Sequence, residues 1–389
     1  MPIKVAIPRE TAEGERRVAI SADVINRLSK LGIETFIESG AGKAANIADS
    51  AYKGASLFES MQSTNPDADI IWCVQAPTEE EIDNIKEGSI LIGTLLPYKY
   101  PERVKKLQAR NITSFSMEFV PRISRAQSMD VLSSQASIAG YKAAIMGADL
   151  LGRFFPMLTT AAGTVRPSKV IVIGVGVAGL QAIATAKRLG AVVEAYDVRP
   201  ETKQQIESLA AKAIQLDISA TGEGGYAREL SVAEKQQQQD ELASYISKAN
   251  VLITTAAVPG RPAPKIVPNS TVEMMQAGSV IIDLAAESGG NTDLTQPGKT
   301  INHQGVIIHG PLNVASQVPE HASEMYAKNL FNFTAPMVSE AGELAIDFKD
   351  EVIAGALLTH KGEIKNTAVS DFINTLTDQD TDQDQKGEN

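Results

Sequence analysis

The chain has 389 residues, of which 43% are hydrophobic and 21% charged, with a formal net charge of −11. This length exceeds what one hydrophobic core usually organises, so two α/β domains are the first expectation. The acidic balance argues against nucleic-acid binding, which needs clustered Lys and Arg, and the single cysteine, Cys73, excludes an intrachain disulfide and a cysteine-built zinc site.

The start of the chain and its apolar stretches predict neither export nor membrane insertion. Residues 1–10 lack the basic-then-apolar layout of a secretory signal. The longest apolar stretch, residues 170–186, contains Gly174, Gly176 and Gly179, and it is typical of a strand, a turn and a helix rather than of a membrane span. We therefore expect a cytoplasmic protein with no transmembrane segment.

Short β-branched runs alternate with longer amphipathic stretches, which is the pattern of βα units on a parallel sheet. Residues 21–32 illustrate a helix, with Ser21 as a plausible N-cap and Gly32 as a stop. The predicted fold is α/β, with two Rossmann-like domains on parallel sheets, joined by long helices, and a cleft between them. The predicted strands cover residues 4–7, 34–37, 70–74, 89–93 and 112–116 in the first set, and 169–173, 192–197, 251–255, 280–284 and 306–308 in the second.

The stretches between these two sets suggest how the chain passes from one domain to the other. An Ala- and Gly-rich helix over residues 137–158 carries the chain out, and residues 320–333 carry it back. Low apolar content predicts a mobile loop at residues 217–241 and a disordered acidic tail at the end. The predicted domains are residues 1–136 with 334–377, residues 137–333, and the tail at 378–389.

The strongest motif follows the strand at residues 169–173, which leads directly into Gly174-Val175-Gly176-Val177-Ala178-Gly179 and then into a helical stretch. In a dinucleotide site, the first glycine permits the tight turn and the second lets a pyrophosphate approach backbone N–H groups. The third lets the helix pack on the strand. A tight turn without a ligand is the disfavoured alternative.

A second strand ends at Asp197, where a carboxylate can accept hydrogen bonds from ribose hydroxyls. Because that charge would repel a 2′-phosphate, Asp197 favours NAD(H) over NADP(H). Arg199 is open to two interpretations. An exposed or pyrophosphate-facing arginine is favoured over a reader of the 2′-phosphate.

With these motifs in place, the chain resembles the alanine dehydrogenase/transhydrogenase family up to about Lys365. Within it, the chain is most similar to the NAD(H)-binding alpha-1 subunit, domain I, of proton-translocating NAD(P) transhydrogenase. Residues 121–130, Pro-Arg-Ile-Ser-Arg-Ala-Gln-Ser-Met-Asp, are the most specific match. Further matches are residues 14–20, 195–200, 225–227, 257–264, 283–287 and 358–363.

The resemblance implies that Arg122, Gln127 and Asp130 form the catalytic loop that holds the nicotinamide end, with Ser133 close by. Tyr226 would lie on a loop that closes over the nucleotide. Without the family, Arg122 and Asp130 would be an ordinary surface ion pair, and Tyr226 an ordinary loop aromatic. The remaining implied cofactor contacts are Gly174, Gly176, Val177, Ala178, Gly179, Asp197, Val198, Arg199, Gly225 and Ala257.

The implied activity is hydride transfer between NADH on this chain and NADP⁺ on a partner subunit. Proton translocation would be performed by a membrane-spanning component, so the chain would lie peripherally at the inner face of the membrane. A homodimer is expected from the family. No metal is expected, because the four histidines lack metal-ligand spacing.

Two other functions are weighed against this one. Alanine dehydrogenases place a catalytic Lys before an acidic residue and Pro, with a His further on. The equivalent stretches here, residues 74–77 and 94–98, contain neither, and Gln75 cannot act as a general acid or base. A non-catalytic NAD sensor is disfavoured because it need not present the reactive ring through a loop such as residues 122–130.

Overall fold

The computed structural model describes residues 2–62, 67–216, 232–257 and 261–384. The chain divides into two compact units, the first made of Met1–Gln135 with Ser316–Asn389 and the second of Ala136–Ala315. The first unit regains the chain at Ser316, whereas the sequence assigns residues up to 333 to the second domain. The reason is apolar packing, since Tyr326, Leu330 and Phe333 are buried in the core of the first unit.

The first unit contains an eight-stranded sheet, in which strands are numbered in chain order along the whole protein. Its spatial order is β17-β16-β6-β5-β4-β1-β2-β3. All pairings are parallel except β6 with β16 and β16 with β17, so one edge is antiparallel. The strands are β1 (Lys4–Ile7), β2 (Glu34–Glu38), β3 (Ser56–Phe58), β4 (Ile70–Gln75), β5 (Ile90–Thr94), β6 (Thr113–Ser116), β16 (Leu357–His360) and β17 (Glu363–Ile364).

Apolar clusters cover both faces of this sheet, and helices carry much of that apolar surface. Helix α1 begins as predicted, because the Ser21 side chain accepts from the Val24 N–H at 3.4 Å and Gly32 follows with a φ of +75°. Trp72 and Cys73 lie in the core. The helices are α1 (Ala22–Lys30), α2 (Glu79–Asp83), α3 (Pro101–Ala109), α9 (Pro319–Thr334), α10 (Glu351–Ala356) and α11 (Thr367–Asp384).

The second unit contains a seven-stranded sheet of order β11-β10-β9-β12-β13-β15-β14, antiparallel only at β14, and a separate two-stranded ribbon. The sheet strands are β9 (Lys169–Ile173), β10 (Val192–Tyr196), β11 (Lys212–Ala213), β12 (Val251–Thr254), β13 (Val280–Asp283), β14 (Thr300–His303) and β15 (Val306–His309). The ribbon is β7 (Leu158–Thr160) with β8 (Gly163–Val165). The helices are α4 (Val131–Leu150), which begins in the first unit, α5 (Val177–Arg188), α6 (Thr202–Ser208), α7 (Val232–Ile246) and α8 (Asn269–Glu273).

The α/β class and all ten predicted strands are confirmed, with end shifts of a residue or two. The wholly parallel sheets are corrected to sheets with antiparallel edges, built by short strands that the sequence pattern did not show. The linking helix α4 starts before residue 137, because Asp130 caps it, and it ends at Leu150, ahead of Gly152 and Pro156.

Two segments predicted to lack structure are helical where they are described. Helix α7 covers residues 232–241 of the predicted mobile loop, since glutamine is a good helix former and Gln236 and Gln237 bond Asp240 and Glu241 one turn on. Helix α11 continues to Asp384, past residue 378, because its apolar first half anchors a helix that can then propagate.

Each sheet has a point where the strand order reverses. In the first unit it lies between β1 and β4, and in the second between β9 and β12. In open α/β sheets, ligands bind outside the carboxyl ends of the strands at such a switch point. The segments after these four strands are therefore the first places to look for a site.

Candidate functional site

The turn after β9 is shaped by three glycines with three different spatial constraints. Gly174 has a φ of +88°, in the left-handed region that favours glycine. A Cβ on Gly179 would stand 2.0 Å from the Gly174 carbonyl oxygen, so only glycine lets α5 approach the strand this closely. A Cβ on Gly176 would meet nothing within 4 Å, so this backbone is open to an approaching group.

Helix α5 starts at this turn, and its first N–H groups lack internal partners as in any helix. Gly176 is the N-cap and supplies no side-chain cap, while Val177 is 42% exposed. Helix α4 packs on the back of the turn, because a Cβ on Gly140 would lie 2.0 Å from the Ala178 carbonyl oxygen. The turn thus presents free N–H donors and positive helix potential on one accessible side, which suits a phosphate.

Asp197 lies directly after β10, as predicted, and its carboxylate reaches back to the glycine turn. Its Oδ2 accepts from the Val175 N–H at 2.6 Å. The Arg199 guanidinium contacts both carboxylate oxygens at 3.0 Å. Burial would raise the pKa of this carboxyl, but the hydrogen bonds from Arg199 and from the Val175 N–H outweigh it and hold the pKa below its usual value.

The segment after β12 faces the other side of the switch point and is held by residues that sequence reasoning missed. Thr255 donates to the Gly174 carbonyl at 2.9 Å. The fully buried Asn291 accepts from the Ala256 N–H at 3.1 Å and donates to the Ala256 carbonyl at 2.7 Å. Asp283 in turn accepts from the Asn291 N–H at 2.7 Å. The only signal in the sequence was the glycine pair at 289–290 after a strand.

Ala257, a predicted cofactor contact, is the last described residue of that segment and is exposed. Val198, another predicted contact, is 80% exposed beside Asp197. The predicted contacts Gly225 and Tyr226 lie outside the described residues, as do residues 258–260. The lid prediction for Tyr226 therefore stays a prediction.

In the first unit, residues 122–130 form an anchored loop with exposed tips. Its buried residues Ala126 and Met129 join the core, and Asn329 on α9 donates to the Ser128 carbonyl at 2.8 Å. Arg122 and Gln127 are exposed. This pattern fixes the backbone while it leaves these two side chains available to a ligand.

Asp130 has a second role at the end of this loop. Its carboxylate accepts from the Ser133 N–H at 2.9 Å and from the Ser133 hydroxyl at 2.6 Å, which caps α4. Among the residues that the structure describes, no ion pair joins Arg122 to Asp130, so the interpretation of these two as an ordinary surface pair is wrong.

A second polar cluster lies at the switch point of the first unit. Glu15 and Arg17 form a buried two-point ion pair, with Nε to Oε1 at 2.8 Å and Nη2 to Oε2 at 2.7 Å. Gln75, after β4, donates to Glu15 at 2.8 Å. Glu10, after β1, accepts from the Val74 N–H at 2.6 Å, and burial raises its pKa to about 8 against that hydrogen bond.

The electrostatics of this cluster centre on Glu15. Burial alone would raise the pKa of its carboxyl, but the hydrogen bonds and charge of Arg17 outweigh burial and lower the pKa to about 2. Glu15 is therefore ionised at neutral pH and Gln75 donates to it. A cavity of about 720 Å³ opens beside the cluster and is lined by Arg9, Glu10, Glu15, Arg17, Ser39, Gly40, Ala41, Lys43 and Ala44.

Two family models match the chain over almost its whole length. The model described as the alanine dehydrogenase/PNT N-terminal domain matches residues 6–139, and the C-terminal domain of the same family matches residues 143–367. Within the described ranges, none of the helices is both long and apolar enough to pass through a bilayer.

Individual relatives give the same result in more detail. The chain is 47% identical over 380 residues to the first of the separately encoded portions of the NAD(P) transhydrogenase alpha subunit of Rhodospirillum rubrum, covering 95% of this chain and 99% of that one. Identity to the alanine dehydrogenase of Mycobacterium tuberculosis is 30%, over 95% and 96%. The solved transhydrogenase of Sinorhizobium meliloti superposes with a TM-score of 0.82 at 41% identity, covering 93% and 98%.

Proposed function

Because the chain belongs to the alanine dehydrogenase/PNT family, we propose that it is the NAD(H)-binding alpha subunit of a proton-translocating NAD(P) transhydrogenase. Its reaction would be hydride transfer between NADH bound here and NADP⁺ bound on a partner subunit. A relative at 47% identity over nearly the full length carries that subunit's name, and the alanine dehydrogenase match is weaker.

The glycine turn of the second unit is the observation that carries the cofactor. It combines an open approach at Gly176, an uncapped α5 N-terminus, and the carboxylate of Asp197 at the end of the next strand. These features match the pyrophosphate and ribose of a dinucleotide. The carboxylate favours NAD(H), since it would repel a 2′-phosphate.

The mechanism asks the protein for position rather than for acid–base chemistry. The nicotinamide ring supplies the hydride when the cofactor is bound, and no free proton moves at the reacting carbons. Arg122 and Gln127 would hold the ring's carboxamide end, while Asp130 fixes the start of α4 beneath them. The protein's contribution is to keep water out and to hold the ring in near-attack geometry.

The cluster at the first switch point does not support alanine oxidation as a rival activity. That chemistry needs a group that exchanges a proton with substrate, and the corresponding position holds Gln75, whose amide is engaged with Glu15. Arg17 is likewise held in a two-point pair instead of being offered to a substrate carboxylate. Both side chains serve the fold of the first unit.

Partners follow from the proposed reaction. We propose an NADP(H)-binding subunit and a membrane-spanning subunit, with this chain at the inner face of the membrane, and a homodimer of this chain. The β7–β8 ribbon supports a dimer, because all six strand residues are exposed and Phe154 and Met157 beside it are 56% and 65% exposed. An isolated two-stranded ribbon is only marginally stable in water, so such a surface calls for a cover.

The decisive experiment mixes the purified chain with an NADP(H)-binding transhydrogenase subunit and follows hydride exchange from NADH to an NADP⁺ analogue by absorbance. The proposal expects exchange that requires both proteins. A folded chain that binds NADH but supports no exchange would contradict the transhydrogenase role. Oxidation of alanine by the chain alone, with NAD⁺ reduction, would favour the dehydrogenase instead.

Gln127→Ala tests the positioning role of the exposed loop. We expect hydride transfer to slow by about 10- to 100-fold, as for a reacting group displaced by about 1 Å, while NADH affinity changes much less. Single-turnover transfer and fluorescence titration of NADH measure the two quantities separately. An equal loss of both would show that Gln127 contributes binding energy rather than position.

Asp197→Asn tests the ribose acceptor. The substitution removes the negative charge at the end of β10, so NADH binding should weaken about tenfold, the value of a charged hydrogen bond. NADPH should lose less, because its 2′-phosphate is no longer repelled. Fluorescence titrations with both nucleotides check this, and an unchanged NADH isotherm would rule out Asp197 as a ribose contact.

A further inference from the structure

The carboxylate of Asp197 is already saturated with hydrogen bonds. Its Oδ1 accepts from the Arg199 N–H at 2.9 Å and from Nε at 3.0 Å. Its Oδ2 accepts from the Val175 N–H at 2.6 Å and from Nη2 of Arg199 at 3.0 Å. An ionised carboxylate offers about four lone-pair positions. A ribose hydroxyl can therefore donate to Asp197 only if one of these four donors leaves.

The four donors differ in how easily they can leave. The N–H groups of Val175 and Arg199 belong to the backbone of the two turns that build the site, so their removal would unmake it. The Arg199 side chain is 52% exposed and can rotate into water. An ion pair with one partner this exposed is worth little, because water replaces the lost contacts. The guanidinium is therefore the donor that gives way.

We propose that Arg199 is a positioning residue that holds the Asp197 carboxylate in place and releases it when the adenosine ribose arrives. The ribose hydroxyls then take the positions of Nε and Nη2 on the two carboxylate oxygens. The inference rests on the proposed function, since it takes Asp197 as the ribose acceptor. Part of the gross affinity for the ribose is thus spent on breaking the ion pair.

The test isolates the ribose from the phosphates by using adenosine and 2′,3′-dideoxyadenosine as probes. Each displaces NADH from the wild-type protein, from Arg199→Ala and from Arg188→Ala, followed by NADH fluorescence. Arg188 is the matched control, because it is an exposed arginine at the far end of α5. In Arg199→Ala, adenosine should bind about two- to fivefold more tightly, the range spanned by one exposed ion pair. The dideoxynucleoside and the control should show no gain.

A second measurement follows the contact itself. In protein labelled with ¹⁵N-arginine, the Nε–H signal assigned to Arg199 by its loss in Arg199→Ala should be protected from solvent exchange in the free protein. Adenosine should remove that protection and dideoxyadenosine should not. Protection that persists with adenosine bound, or adenosine affinity that stays the same or falls in Arg199→Ala, would overturn the release of Arg199. Failure of the wild-type protein to bind NADH at all would instead overturn the proposed function.

Discussion

Gly176→Ala should abolish most NADH binding while leaving the fold intact. The residue has a φ of −81°, which alanine adopts, and an added Cβ meets nothing within 4 Å. The methyl group would, however, stand where the pyrophosphate must reach the first N–H groups of α5. Losing one or two charged hydrogen bonds of about 1.5–3 kcal/mol each lowers the affinity by about 100-fold.

Gly179→Ala is the matched control, because it adds the same methyl group three residues further along the same turn. Here the Cβ would lie 2.0 Å from the Gly174 carbonyl oxygen, which is backbone and cannot step aside. We expect this variant to lose about 1–3 kcal/mol of stability together with its binding. Gly176→Ala should stay within about 1 kcal/mol of the wild type, as for a changed N-cap. Thermal unfolding and NADH fluorescence titration of both variants separate the two effects, and tight NADH binding by Gly176→Ala would refute the pyrophosphate contact.

The dinucleotide turn could be predicted from sequence because its physics is local. A strand, a turn that needs glycine and a helix follow one another without interruption, and each glycine acts on neighbours within a few residues. Asp197 is equally readable, since it ends the next strand. The same locality explains why all ten main strands were found.

The supporting contacts could not be predicted, because they join residues far apart in the chain. Asn291 holds Ala256 across 35 residues, and Asn329 holds Ser128 across 201. Polar side chains of this kind have no periodic pattern, so only the fold shows which backbone groups they reach. The capping of α4 by Asp130 was local, yet the family resemblance directed attention to a ligand role instead. The helix α7 was missed because low apolar content was taken as a sign of disorder.

Arg17→Met should strongly destabilise the first unit. The Arg17 guanidinium is buried and pairs with Glu15 at two points, and its Nη1 donates to Gln135 at 2.9 Å. Replacing it by methionine keeps much of the volume but leaves the Glu15 carboxylate in the core without its cation. Breaking one side of a buried ion pair costs about 3–5 kcal/mol, which chemical denaturation measures directly. The double variant Glu15→Gln with Arg17→Met should recover part of the loss, because it removes the stranded charge. A double variant less stable than Arg17→Met alone would show that the pair is not the source of the effect.

The pH dependence of stability gives an independent view of the same pair. The pKa of Glu15 falls from 4.5 to about 2 in the folded protein, so its contribution is fully present above pH 4.5 and is lost as the pH falls towards 2. A shift of this size corresponds to about 3 kcal/mol, since each pKa unit is about 1.4 kcal/mol. Glu15→Gln has no carboxyl to protonate, so its stability should fall by about 3 kcal/mol less than that of the wild type over that window. Denaturant unfolding at several pH values across that window measures the difference. Parallel pH profiles for the two proteins would mean that Glu15 titrates normally and that Arg17 is held in the core by its other contacts.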